Sequence, residues 1–184
     1  MVFPEGVSID SSTGHVSPET GRYTKRLSEL RGIFHDRTAL EEAVAVRGDP
    51  IVYEVVEYKK EGSDIFFGTT TVEPGVVGNE YYMTRGHFHA RRDMAEVYYT
   101  QHGSGVLLLK SRAGETAVVE MKRGVCAFIP PDWAHRSINT GKDKLVFVWV
   151  GNVAAGHDYG DILEKGMSKR VLLREGVANI VDDA

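Results

Sequence analysis

The sequence predicts an all-β protein, a small antiparallel β-barrel that follows an N-terminal arm. Runs rich in Val, Ile, Tyr, Phe and Thr recur from Ile51 onward at intervals of about 8 to 12 residues, which is typical of barrels and sandwiches. Turns that contain glycine or proline separate these runs. With 184 residues, 42% of them hydrophobic and 26% charged, the chain suits one globular domain. We therefore expect a single domain over residues 1–184, with the barrel at 51–150.

The N-terminal arm, residues 1–50, contains one predicted helix. Thr38-Ala39-Leu40-Glu41 has the form of a capping box, with Thr38 as the N-cap and Glu41 at the third helical position. Gly48 and Pro50 are typical of a helix end. The arm should therefore hold one short helix just before the barrel.

Nine strands are predicted for the barrel, and glycine, proline or polar turns bound them. They cover residues 51–58, 64–72, 80–89, 96–101, 105–109, 117–121, 125–129, 135–139 and 145–150. The C-terminal segment, residues 151–184, combines a loop rich in Gly and Asp with one further strand at 170–174.

Charge and composition exclude several classes of partner. The net charge is -4 and Lys and Arg form no dense stripe, which argues against nucleic acid or an anionic membrane. The N-terminus lacks the basic and long apolar regions of a signal peptide, and the longest apolar run, 145–150, is too short to span a bilayer. The single cysteine, Cys126, lies in an apolar run and is expected to be buried. We expect a cytoplasmic protein that binds a small molecule.

Three histidines and one glutamate have the spacing of a metal site. His87 and His89 are one residue apart, so in an extended strand both side chains point the same way. Glu96 begins the next predicted strand, across an expected hairpin, and His135 begins a later one. Nitrogen and carboxylate donors together suit a divalent transition metal. The sequence therefore predicts a metal site of His87, His89, Glu96 and His135.

The spacing around these ligands resembles the two conserved motifs of the cupin superfamily. After the His-x-His pair, six residues precede Glu96 and six more precede Gly103; later, Gly124 is followed by Pro130, His135 and Asn139. Cupins are small antiparallel, jelly-roll-like β-barrels with a metal at the inner face. Two departures are visible: the gap before Glu96 is longer than usual, and Asp132 replaces the usual glycine of the second motif.

Flanking residues carry a closer resemblance. Four stretches look like the archaeal, cupin-type glucose-6-phosphate isomerases: Thr84-Arg85-Gly86-His87-Phe88-His89-Ala90, Ala95-Glu96-Val97-Tyr98, Pro130-Pro131-Asp132-Trp133-Ala134-His135-Arg136 and Ala155-Gly156-His157-Asp158-Tyr159-Gly160. This resemblance runs from about residue 50 to residue 169. It implies a homodimer that interconverts glucose 6-phosphate and fructose 6-phosphate. It also implies one divalent ion per chain on the four predicted ligands, most commonly Fe2+, with Ni2+, Mn2+ or Zn2+ accepted.

The same resemblance assigns a sugar-phosphate site. It maps substrate contacts to Tyr53, Thr70, Thr84, Gly86, Tyr98, His157 and Tyr159. One family position fails, because a substrate-holding tyrosine falls at or beside Gly151-Asn152, where this chain has no aromatic residue. Arg85 alternates away from Thr84 and Gly86 in a regular strand, so we interpret it as a surface or interface residue.

Two residues are candidates for catalysis. Isomerisation moves a hydrogen between C1 and C2, and Glu96 is the best base because a carboxylate beside the ion can reach both carbons. This predicts a cis-enediol route, and the rival is direct hydride transfer with Glu96 as a ligand only. His157 is the second candidate, for ring opening or for a hydroxyl proton.

Two other functions use the same ligands. An iron or manganese oxidoreductase, such as a dioxygenase or an oxalate-type enzyme, shares three histidines and one glutamate. A non-catalytic sugar-binding cupin is the third class, although a mere binding module has no need to keep all four ligands. The Gly-His-Asp-Tyr-Gly segment at 156–160 and the paired threonines favour the isomerase.

Overall fold

The computed structural model describes residues 3–183, so Met1, Val2 and Ala184, which belong to the predicted arm and C-terminal segment, lie outside the described residues. Its strands are β1 Ser8–Ile9, β2 Val16–Ser17, β3 Gly21–Arg26, β4 Ile51–Lys59, β5 Ile65–Val72, β6 Val76–Val77, β7 Glu80–Tyr81, β8 Glu96–His102, β9 Ser104–Ser111, β10 Thr116–Lys122, β11 Cys126–Ile129, β12 Trp133–Asn139, β13 Leu145–Asn152, β14 Lys169–Arg174 and β15 Val177–Asp182. Three helices complete the described chain: a 3-10 helix Leu27–Leu30, α1 Arg37–Arg47 and α2 Gly160–Lys165. The all-β prediction is confirmed.

Antiparallel sheets enclose the core. The largest sheet has six strands in the order β11-β8-β13-β5-β4-β3, and a three-stranded sheet has the order β10-β9-β12. Tyr98 and Phe147 from the first sheet and Leu107 and Ile138 from the second belong to one buried cluster. The two sheets therefore share a common interior, and side chains that alternate inward from either sheet can meet there.

The arm packs on the barrel through more structure than the sequence predicted. Strand β3 pairs with β4 and so extends the six-stranded sheet at its edge. The β1–β2 hairpin lies on the outer face, where Val16, Val56 and Tyr58 form a second apolar cluster. The sequence predicted only a short helix in this arm, because Gly21–Arg26 has no alternation of apolar residues that would indicate a strand.

Helix α1 begins two residues earlier than the capping-box pattern predicted. Asp36, in an extended conformation, is the N-cap, and its carboxylate accepts a hydrogen bond of 2.8 Å from the backbone N–H of Ala39. Thr38 therefore lies within the first turn, and its prediction as the N-cap was wrong. The helix ends as predicted at Gly48, whose φ of 70° suits glycine.

Two local predictions around the metal ligands were wrong. The predicted strand 80–89 is regular only at β7, because the chain turns at Gly86, where φ is +76°. After that turn His87 forms an isolated bridge with His135 of β12. Glu96 does not lie across a hairpin from His89, because β8 pairs with β11 and β13 instead. Glu96 and His135 thus come from different sheets, whereas His87 and His89 lie on the segment between β7 and β8.

The remaining differences concern the C-terminal segment and the cysteine. The loop rich in Gly and Asp contains α2, and a strand unforeseen from the sequence, β15, pairs with β14. Cys126 is exposed rather than buried, because it occupies an outward position of β11 opposite Tyr99. None of the helices within residues 3–183 has the length and apolar character needed to cross a bilayer.

Candidate active site

The four predicted metal ligands converge inside the barrel. The donor atoms of His87, His89, Glu96 and His135 all lie within 4.8 Å of one another. Backbone hydrogen bonds in both directions between His87 and His135, of 3.4 and 3.1 Å, hold these two histidines side by side. Glu96, the first residue of β8, reaches them from the six-stranded sheet. The barrel therefore brings together residues that lie up to 48 positions apart, from His87 to His135.

Backbone carbonyls determine which ring nitrogen faces the centre of this cluster. Nδ1 of His89 lies 2.9 Å from the carbonyl oxygen of Met94, and Nδ1 of His135 lies 3.3 Å from that of Trp133. A carbonyl can only accept, so each Nδ1 carries a proton and each neutral ring presents the lone pair of Nε2. This is the tautomer that a metal-ligating histidine requires.

The inward nitrogens have little else to bind. Each Nε2 of His89 and His135 lies 3.2 Å from the same oxygen of Glu96. For His135 this contact lacks hydrogen-bond geometry, so its buried Nε2 has no hydrogen-bond partner among residues 3–183. Lone pairs that face a carboxylate need a cation between them, which is either a proton or a metal ion. The four donor residues and the unpaired Nε2 of His135 therefore fit a divalent ion.

Electrostatics keep Glu96 ionised and His87 neutral, which are the states that a metal ion needs. Burial opposes ionisation of Glu96, but the facing His135 and His89 outweigh it and lower its pKa to about 2. Burial, with the neighbouring His135, His157 and His89, lowers the pKa of His87 well below its usual value. Burial also disfavours charge on His89, but Glu96 and the Met94 carbonyl outweigh it and raise its pKa. A metal ion would displace the proton that Glu96 favours there.

A cavity opens over this cluster, and the predicted substrate residues line it. The walls include ten of the sequence-predicted site residues: Tyr53, Thr70, Thr84, Gly86, His87, Glu96, Tyr98, His135, His157 and Tyr159. His89, the remaining predicted ligand, is part of the cluster of donors beside the cavity. The structure therefore places all the predicted site residues in one region.

His157 and Tyr159 form one side of the cavity. Their rings are stacked, with centroids 5.7 Å apart and an interplanar angle of 11°, and the centroid of His157 lies 4.3 Å from that of His87. Desolvation lowers the pKa of His157 below its usual value, which favours the neutral imidazole at pH 7. A neutral imidazole can both donate and accept a proton near the ligand cluster.

Tyrosine hydroxyls supply further polar groups in the cavity. Tyr53 and Tyr98 are both buried, and burial raises the pKa of Tyr53 to about 12. The pKa of Tyr98 is also raised, first by burial and then by the charge of Glu96. Both hydroxyls therefore keep their protons and can donate hydrogen bonds to a ligand. Tyr98 is held by stacking on Phe147, with ring centroids 4.7 Å apart.

Several cavity residues were not predicted from the sequence. They are Tyr23, Val55, Glu57, Phe66, Arg85, Phe147 and Trp149. The inward alternation of β13 could have indicated Phe147 and Trp149. Arg85 is half-buried and lines the cavity, so the prediction that it points away to the surface was wrong, and its place at an interface stays a prediction. Gly86 breaks the alternation from which that prediction came.

Gly151 occupies the region where the resemblance expected an aromatic side chain. A Cβ atom at this position would lie 3.5 Å from an oxygen of Glu96 and 3.4 Å from the ring of Phe66. The missing side chain therefore leaves space directly beside the carboxylate. Phe66 and Trp149, whose ring centroids are 4.8 Å apart, form the apolar wall next to it.

Two sequence comparisons agree on one family. The family model for glucose-6-phosphate isomerase (GPI) matches residues 24–182. The glucose-6-phosphate isomerase of Thermococcus gammatolerans is 44% identical over 182 residues, which cover 98% of this chain and 95% of that protein. The enzyme of Pyrococcus furiosus is 41% identical with the same coverage. Among solved structures, a cupin 2 conserved barrel domain protein from Rhodopseudomonas palustris matches 57% of this chain and 63% of its own, with 20% identity and a TM-score of 0.44.

Proposed function

This chain belongs to the glucose-6-phosphate isomerase family, and we propose that it interconverts glucose 6-phosphate and fructose 6-phosphate in the cavity above His87, Glu96 and His135. The observation that carries this proposal is the convergence of a four-residue donor cluster with hydroxyl-bearing side chains in one cavity. Aldose–ketose isomerisation needs both: groups that stabilise charge on two adjacent oxygens, and groups that hold a phosphorylated sugar in place.

The cluster would hold one divalent metal ion per chain. His87, His89 and His135 would supply nitrogen ligands and Glu96 an oxygen ligand, a set that divalent transition metals favour. The resemblance to the archaeal isomerases implies Fe2+ most commonly, with Ni2+, Mn2+ or Zn2+ accepted. When bound, the ion would polarise the carbonyl of the open-chain sugar and stabilise negative charge on its oxygens.

The chain's own residues would handle the proton. Glu96 is ionised and would move a proton between C1 and C2, which gives a cis-enediol as the intermediate. The space left by Gly151 gives this carboxylate room beside the sugar. Neutral His157, at the mouth of the cavity, would assist ring opening or carry a hydroxyl proton.

Hydroxyl and amide groups would hold the sugar phosphate. Thr70 and Thr84 line the cavity, and the Oγ1 atom of Thr84 accepts a hydrogen bond from the backbone N–H of Ser137 at 3.0 Å, so its own O–H is free to donate. Gly86 allows close approach of a ligand to the backbone. Tyr53, Tyr98 and Tyr159 would bind hydroxyls of the sugar.

The protein would act as a homodimer in the cytoplasm. The outer face of the six-stranded sheet supports association, because Tyr99, Phe128 and Val150 are 44%, 63% and 39% exposed on neighbouring strands β8, β11 and β13. Contiguous exposed apolar groups of this kind mark interaction surfaces. Light scattering on the purified protein tests the proposal, with a mass of two chains as the expected result and a mass of one chain as the contrary result.

The match to the glucose-6-phosphate isomerase family does not support the alternatives of an oxidoreductase or a non-catalytic sugar-binding cupin. A coupled assay separates them from the isomerase: fructose 6-phosphate is supplied, and a dehydrogenase reports the glucose 6-phosphate formed. Steady turnover by the purified protein supports the proposal, and no turnover with any of the four metals contradicts it.

A further inference from the structure

The cavity contains one permanent cation. Among the described residues that line it, Arg85 is the only Arg or Lys, whereas Glu57 and Glu96 are acidic. A sugar phosphate carries up to two negative charges into this space. Because an uncompensated charge in a desolvated site is costly, its phosphate must lie near a positive group.

The guanidinium of Arg85 is held in a defined position. Nη2 donates a hydrogen bond of 2.9 Å to the carbonyl oxygen of Glu29, just before the end of the 3-10 helix. The Cζ atom lies 5.4 Å from the centroid of the Tyr159 ring, so the guanidinium also contacts the side of the cavity that carries His157. An arginine fixed at one nitrogen and stacked at its face keeps its other N–H groups in a fixed direction.

One of those other groups is without a partner. Nε of Arg85 is buried and makes no hydrogen bond within residues 3–183. Buried polar groups in folded proteins are normally paired, so this unpaired donor leaves hydrogen-bonding capacity on a residue that lines the cavity. A phosphate oxygen is the acceptor that an arginine fork binds best.

A second arginine supports the backbone below this side chain. Arg136 is 3% exposed, and its Nε and Nη2 donate to the carbonyl oxygen of Arg85 at 3.1 and 2.7 Å. At Gly86 an added Cβ would lie 3.1 Å from both Cβ and Nε of Arg136. The peptide that joins Arg85 to Gly86 is therefore clamped, and the positive charge of Arg136 lies directly behind it.

We propose that Arg85 is a specificity-determining residue that binds the phosphate group of the substrate, beside Thr84 and Gly86, while Arg136 positions it from behind. This inference rests on the proposed function and adds a charged contact to it. The hydroxyl of Thr84 and the backbone amide of Gly86 would position the phosphate. Arg85 would supply the positive charge that favours a phosphorylated sugar over a neutral one. The Glu29 contact makes this selectivity depend on the N-terminal arm.

The test compares an anion with a neutral sugar in three variants. Arg85→Gln removes the charge, Arg85→Lys keeps the charge without the planar fork, and Arg31→Gln is the matched control. Arg31 also ties the 3-10 helix in place, through Ser28 and Glu41, but it does not line the cavity. For each, we measure the KM for fructose 6-phosphate, and the inhibition constants of inorganic phosphate and of sorbitol, which lacks the phosphate.

In Arg85→Gln, the KM and the inhibition constant of phosphate should rise about tenfold to a hundredfold, as expected for a charged hydrogen bond. The inhibition constant of sorbitol and the kcat should change little, Arg85→Lys should be intermediate, and Arg31→Gln should resemble the unmodified protein. Equal weakening of phosphate and sorbitol, or no change in either, overturns the proposal, since both indicate a structural role for Arg85.

Failure of the proposed function would be recognised separately. If the unmodified, metal-loaded protein does not isomerise fructose 6-phosphate, the proposed function fails, and Arg85 is then judged by calorimetric titration with inorganic phosphate. Phosphate binding that is lost in Arg85→Gln and retained in Arg31→Gln supports the anion site without turnover. Binding that is the same in both variants contradicts it.

Discussion

The Nη2 atom of Arg112 lies 2.8 Å from Oδ2 of Asp158, and this ion pair fixes the loop that carries His157 and Tyr159. The same guanidinium donates to Asp132 at 3.0 Å, and its Cζ lies 4.1 Å from the centroid of the Phe88 ring. Phe88 and Asp158 are also joined by backbone hydrogen bonds. Arg112, which lies between β9 and β10, therefore holds His157 and Tyr159 in position on one side of the cavity.

We expect Arg112→Gln to lower kcat/KM by about tenfold to a hundredfold, since a small displacement of a substrate-contacting loop has effects of this size. Metal content should not change, because Arg112 touches none of the four predicted ligands. Steady-state kinetics with elemental analysis checks both expectations. Arg91→Gln is the control, because Arg91 pairs with Asp93 on the surface and does not line the cavity. Unchanged kcat/KM in Arg112→Gln would show that the loop keeps its position without this pair.

The same pair predicts a pH dependence of stability. Arg112, with the backbone N–H of Gly160, lowers the pKa of Asp158 below its usual value. A carboxyl group whose pKa is lower in the folded state stabilises the fold above its unfolded pKa, near 4, and loses this contribution as the pH falls through the folded value. The group is partly exposed, so the Tm difference between the unmodified protein and Arg112→Gln should be at most about 4 °C at pH 6. It should shrink below about pH 4 in thermal melts; a difference that grows on acidification would contradict this assignment.

Substitution of a metal ligand should release the metal, whereas substitution of a substrate-binding residue should only weaken substrate binding. His135→Ala should lose the metal and reduce activity by more than about a hundredfold, because it removes a direct ligand. Thr70→Val keeps the shape of a buried side chain and removes one hydroxyl, so it should keep the metal and raise the KM by about threefold to tenfold. Equal loss of metal in both variants, measured by elemental analysis, would show that the layout of the site is wrong.

Chemically distinctive residues were the most predictable part of this site. His87, His89, Glu96 and His135 were identified because few residue types bind metals, and their convergence needed only that the barrel close. Which sheet supplies Glu96 was not predictable, since strand pairing depends on contacts distant in sequence.

Arg85 and Tyr23 show the opposite case. Strand alternation predicts that the side chain of Arg85 points outward. A positive φ at Gly86 ends that alternation, and no local sequence pattern indicates this turn. Tyr23 lies on β3, whose polar sequence resembles a loop and becomes a strand only by pairing with β4. Both contributions to the cavity come from tertiary structure that overrides local preference.

The route of hydrogen transfer can be identified from the incorporation of solvent deuterium into the product. If Glu96 moves a proton through a cis-enediol, that proton can exchange with solvent, so conversion of fructose 6-phosphate in deuterated water should place some deuterium at C2 of glucose 6-phosphate. Metal-loaded Glu96→Gln should then be nearly inactive. Mass spectrometry or NMR of the product reports the label. Absence of label after many turnovers, together with substantial activity of Glu96→Gln, would favour direct hydride transfer.

The most direct measurement is the metal content of active protein, determined by elemental analysis alongside the coupled isomerase assay. We expect one divalent ion per chain, loss of glucose 6-phosphate formation when a chelator removes it, and recovery when Fe2+ is added back. The circular dichroism spectrum should persist after chelation, because the buried apolar cluster between the sheets carries the fold. Full isomerase activity in protein with no bound metal would contradict the site that His87, His89, Glu96 and His135 are proposed to form.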